Sequence, residues 1–285
     1  RGSSLPSHTG RAPRCALRRG SFECLRPPRR STREKDARIP RAVVVSLRAP
    51  SLRPFGPCSV FADTMTNTTA NAHERAQTIL DYWFGAIDDT TPLNREREPF
   101  ALHFQRWYGK SAEVDASIRA AFAPHLHAVT ASGQSWDATL RQWRRHPRGL
   151  LALTILLDQL PRNMYRDTAR MYTHDALGLL ASEAARAQLS EDLPLVHRMF
   201  IAVPLMHTED LILQERMLAA FEEFVELATT RSPDNVGFFR FALDYAKRHV
   251  DVIRAFGRFP HRNALLGRTS TPEELTFLER RDAWF

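Results

Sequence analysis

The chain has 285 residues, enough for one large domain or two small ones, and a formal charge of +8. The charge is confined to one end: residues 1–64 hold 14 basic and 4 acidic groups, and the remainder holds 26 and 28. A near-neutral remainder argues against nucleic acid as a partner. Because Cys15, Cys24 and Cys58 also lie at that end, the remainder has no disulfide framework, thiolate metal site or thiol nucleophile, which suits the reducing cytoplasm.

Residues 1–64 are rich in Arg, Pro and Ser and show no helical or strand periodicity. They are predicted to be a disordered leader outside the native fold, with Met65 as the start of a single all-α domain, 65–285. Upstream non-native sequence and a transit-type leader both fit this composition. Ala42-Val-Val-Val-Ser-Leu47 is too short for a secretory signal. No apolar run reaches the roughly 18 residues of a membrane span. Leu150-Leu-Ala-Leu-Thr-Ile-Leu-Leu157 comes nearest and is stopped by Asp158.

From Asn71 onward the hydrophobic spacing predicts helices near 72–84, 98–108, 112–131, 136–146, 149–160, 168–188, 194–202, 209–229, 236–256 and 272–281, with no strand. Gly85 and Gly109 stand where C-terminal caps belong. Asn71 with Glu74 and Thr271 with Glu274 read as capping boxes, and Pro272 opens its helix. Short connections make neighbours antiparallel, giving stacked helix pairs. A repeat of fixed period is missing. One echo stands out: Leu160-Pro-Arg-Asn163 with Arg166 resembles Phe259-Pro-His-Arg-Asn263 with Arg268.

Some polar groups fall inside apolar faces. At 100° per residue, Asp210 and Gln214 lie in the arc of Met217, Phe221, Phe224 and Ala228. His249 lies in the arc of Phe238, Ala242 and Val252. Asp158 interrupts a helix that is apolar almost all round. Carboxylates carried into a core need partners. The loops offer Arg162 and Asn163, His207, and Arg258, His261, Arg262 and Asn263. Each has a plainer reading: Asp210 near a helix start, His249 as a satisfied core histidine, Asp158–Arg162 as a helix-end pair, and the loop arginines as caps.

Leu156-Leu-Asp-Gln-Leu-Pro-Arg-Asn163, Pro204-Leu-Met-His-Thr-Glu-Asp210 with Gln214-Glu215, Phe256-Gly-Arg-Phe-Pro-His-Arg-Asn263 with Leu266-Gly-Arg268, and Ile79-Leu-Asp-Tyr-Trp-Phe-Gly85 resemble the signatures of the bacterial domain of unknown function family 924. The resemblance spans about 72–280. It implies an all-α, tetratricopeptide-like fold and no established activity.

Three functions follow from the residues. A polar pocket lined by Arg162, Asn163, His207, Asp210, Gln214, His249, Arg258, His261, Arg262 and Asn263 would bind an anionic small molecule or a peptide. The same pocket would serve a hydrolase or lyase, with Asp158 or Asp210 as base and His207 or His261 as acid; a metal variant would use His207, Asp210 and His249 or His261. A structural adaptor would need no ligand. Binding is the reading the sequence favours. There is no Gly-x-Gly-x-x-Gly, P-loop or Gly-x-Ser-x-Gly, so nucleotide binding of those kinds and serine-hydrolase chemistry have no support.

Overall fold

The computed structural model describes residues 72–131 and 133–280. They belong to the larger of two units into which the chain divides, Ser59–Phe285. The predicted leader, the start at Met65 and the capping box at Asn71 lie outside the described residues.

Among the described residues the structure is all helical, with ten helices and no strand. They are α1 (Ala72–Trp83), α2 (Phe100–Tyr108), α3 (Ala112–Thr130), α4 (Trp136–Trp143), α5 (Gly149–Thr154, continuing to Met164), α6 (Asp175–Arg186), α7 (Leu195–Met206), α8 (Leu211–Arg231), α9 (Val236–Phe256) and α10 (Pro272–Leu278). Successive helices from α5 to α9 pack on one another, and α1 and α3 pack on α5. Among the described residues no helix is long and apolar enough to cross a membrane.

The caps follow the sequence. Asp210 accepts from Leu213 N at the start of α8, and Thr271 and Glu274 close a reciprocal capping box on α10. Gly257 ends α9 at φ 67°, a left-handed conformation that a side chain would strain. Gly109 instead ends α2 in extended backbone.

α5 is buried almost all round, as its largely apolar sequence requires. Its predicted end at 160 is four residues short. Pro161 would clash with the carbonyl four residues back in a regular helix. The chain avoids this by widening into a π turn over Ile155–Gln159, where Leu160 N bonds to Ile155 O, and then finishes as Leu160–Met164. The predicted helix 168–188 is also two elements: a 3₁₀ turn, Ala169–Tyr172, and then α6.

Candidate functional site

The π turn sets the site. It carries Asp158 into the core, where the residue is 0 % exposed. His207, the residue after α7, places Nδ1 2.8 and 3.0 Å from the two carboxylate oxygens. Gln159 Nε2 donates to Oδ2 at 2.6 Å. Arg162, one turn on, lies 3.5 Å from Oδ1 and donates to the Asp158 carbonyl at 2.5 Å.

Two further elements close the cluster. α6 lies directly against Asp158, because a Cβ on Gly178 would come within 3.0 Å of the Asp158 Cβ. This approach brings Asp175, at the start of α6, into a bidentate pair with Arg162 at 3.0 and 3.1 Å. The 3₁₀ turn Pro260–Arg262 brings Arg262 from the other side. Its Nη1 donates to His207 O at 3.0 Å and lies 3.8 Å from Asp175. The guanidinium stacks 4.7 Å from the Tyr172 ring centre and 4.4 Å from that of Phe259.

Burial would raise the Asp158 pKa, but the Arg162 cation and the His207 and Gln159 contacts outweigh it and hold the carboxyl well below its usual range. Burial lowers His207, and Arg162 adds to this against the opposing pull of Asp158. An ionised Asp158 therefore faces a neutral His207. Since a carboxylate only accepts, Nδ1 carries the proton and Nε2 the lone pair. Nε2 has no hydrogen bond to any described residue. The side chain keeps 14 % of its accessible surface. Arg262 is also lowered, by burial and then by Arg162. That is the direction expected of a cation with too little negative charge around it. Its Nε is buried with no partner among the described residues.

The structure brings together Asp158, Arg162, His207 and Arg262. His261 and His249 flank them through Phe259, whose ring lies 5.5 and 5.6 Å from theirs. Five candidates stand apart. Asp210 is exposed and turns back to cap α8. The helix predicted from 209 begins at 211, which makes Asp210 the cap rather than a core-facing residue. Gln214 is buried, but its amide ties down the α7–α8 turn through Met206 O and Thr208 O, both at 2.7 Å. Asn163 bonds Asp115, which also pairs with Arg166. Arg258 and Asn263 bind Glu274. The metal variant needed Asp210 beside His207, and among the described residues no group of three or more His, Cys, Asp or Glu is placed to hold a metal ion.

Asp175 and Tyr172 were missed in the sequence. Reading 168–188 as one helix gave neither residue a role. The His-Asp step at 174–175, a helix start, was the available signal.

A cavity of about 400 Å³ lies elsewhere, lined from the α4–α5 turn, α5, α6 and the α6–α7 loop. None of the candidate residues lines it.

A family model described as "Bacterial protein of unknown function (DUF924)" matches residues 79–282. The chain is also similar to the solved structure of the protein of unknown function ATU0120 from Agrobacterium tumefaciens. The two share 31 % identity and a TM-score of 0.51, over 72 % of this chain and 96 % of that one. No curated protein matches.

Proposed function

The chain belongs to the bacterial family of unknown function DUF924, and on that premise we propose that it is an acid–base enzyme acting on a substrate with an anionic group. His207 is the base and later the acid. Asp158 fixes its ring and tautomer, and Arg262 holds the anion. The observation that carries this reading is the 2.8 Å contact from Asp158 to Nδ1, which leaves Nε2 an unengaged acceptor. In such a pair the carboxylate stabilises the imidazolium as the proton arrives. Arg262, stacked between two rings, can present its fork to a carboxylate or phosphate. The other loop arginines suit this less, because Arg162 is committed to Asp175 and Arg258 to Glu274. Catalysis thereby overtakes simple anion binding, the reading the sequence favoured. A chain without cysteine beyond Cys58 suits a cytoplasmic setting.

The test is a nitrogen-15 spectrum of the histidine rings at pH 7, with inorganic phosphate then added. His207 should show Nδ1–H, with its Nε2 resonance moving saturably on addition of phosphate. Arg262→Gln should abolish the movement. A proton on Nε2, or a movement that survives Arg262→Gln, would sink the assignment.

A further inference from the structure

At the opposite end of α5 from Asp158, the 400 Å³ cavity has a divided lining. Its floor is apolar and buried, formed by Leu150, Leu151, Ala185 and Ile201, each at most 6 % exposed. Its rim carries Arg144 and Arg148, neither of which forms an ion pair or side-chain hydrogen bond with a described residue. Asp192 is also on the rim and pairs with neither of them.

The turn that presents these arginines is closely packed and tied by hydrogen bonds. Gly149 lies so close to the Trp143 carbonyl that a Cβ there would sit 1.8 Å from its oxygen, so no other residue allows this path. Gly149 N bonds to His146 O at 3.0 Å. His146, 5 % exposed, accepts Arg148 N on Nδ1 at 3.0 Å. That leaves Nε2 as the donor to Gln77 Oε1, also at 3.0 Å. His146 is thus neutral and used up in holding the turn, and the rim cations are the arginines alone. Most charged side chains around the first site are paired; those here are not.

We infer that this cavity binds an amphiphilic monoanion: a carboxylate head held by Arg148 and Arg144 above an acyl or aryl tail on the leucine floor. The volume falls within the range of small-molecule pockets. The net rim charge of one, from two arginines and one aspartate, matches one carboxylate. The site is independent of the His207 reading.

The test is calorimetric titration of the full chain with octanoate, octanamide and acetate. Octanoate should bind saturably. Octanamide lacks only the charge and acetate only the tail, and each should bind at least tenfold more weakly. Arg148→Gln should also weaken octanoate about tenfold, the loss of one charge-assisted contact. Arg144→Gln, exposed and remote from the core, gives a second reading if Arg148→Gln does not fold. Octanamide binding as tightly as octanoate, or octanoate unaffected by either variant, would overturn the inference. So would the lack of saturable octanoate binding.

Discussion

Two polar clusters meet at the His207–Asp210 turn, both built on carboxylates and arginines and closed to different degrees. Around Glu209 and Glu274 every carboxylate oxygen has donors. Arg268 forks onto Glu209, which also takes Phe259 N. Arg258, Asn263 and Thr271 N share Glu274. That cluster fastens the C-terminal loop to the body of the fold. Around Asp158 the carboxylate is equally satisfied, yet one of its partners is a histidine whose second nitrogen is left over. A pair of arginines and carboxylates has no proton to exchange near neutral pH, whereas an Asp–His pair does. The difference lies in one residue type, and it separates a fastening from a candidate site.

Removing the central carboxylate from each cluster should give unequal losses. Asp158→Ala would leave Arg162 buried beside a void, and should cost about 3–5 kcal/mol. Glu274→Ala would release Arg258 to solvent and lose the capping box, at about 2 kcal/mol. Urea unfolding of both variants checks this. Equal losses would mean that Arg162 reaches solvent as readily as Arg258 once its carboxylate is gone, so that the Asp158 cluster is no more closed than the other.

Acid should sharpen the contrast. Arg258 and its neighbours pull Glu274 down to about 2, and Asp158 is lower than usual too. Both carboxylates keep nearly their full stabilisation until the pH nears 5. Burial pushes His197 and His249 down to about 3. A histidine with a depressed folded pKa binds more protons unfolded than folded, so stability is full above about 6.5 and falls as the pH drops. Between pH 6.5 and 5 each should remove up to about 1.4 kcal/mol per pH unit, with Glu274 and Asp158 nearly silent. His197→Phe, suited to a ring 4.0 Å from Phe84, should remove its share of the slope. A flat profile over that window would show that both rings protonate freely in the fold.

The contrast between the clusters was only half legible in the sequence. Helical spacing exposed the apolar faces, and Asp158 inside an all-apolar run announced a buried charge that needed partners. The repeated Pro-Arg-Asn pattern was also meaningful. Arg162 and Arg262 meet at Asp175, while Asn163 and Asn263 each anchor their loop to a buried carboxylate, Asp115 and Glu274. What stayed hidden was which donor meets which acceptor. Placing Asp210 in the core followed from drawing α8 two residues too early, an error that turns a cap into a core residue. Asp175 depended on a close approach of two backbones at Gly178, which no periodicity reports. The cavity at Arg148 depended on the path of one turn.

The smallest expected effect on stability comes from the residue that matters most to the proposed function. Glutamine at position 207 can donate its amide to Asp158 much as Nδ1 does, so the buried carboxylate keeps a partner. Its side chain is also partly exposed, so His207→Gln should change the unfolding free energy by no more than about 1 kcal/mol. What it removes is the titratable nitrogen. Any hydrolytic or lyase turnover found in this protein should then fall by at least about a hundredfold, the usual contribution of a positioned acid–base group. Asp158→Asn should keep the packing but favour the wrong histidine tautomer, so its loss of rate should be similar at a larger cost in stability. If His207→Gln is instead as destabilising as Asp158→Ala, with any turnover unchanged, the pair is a second fastening and the two clusters do the same job.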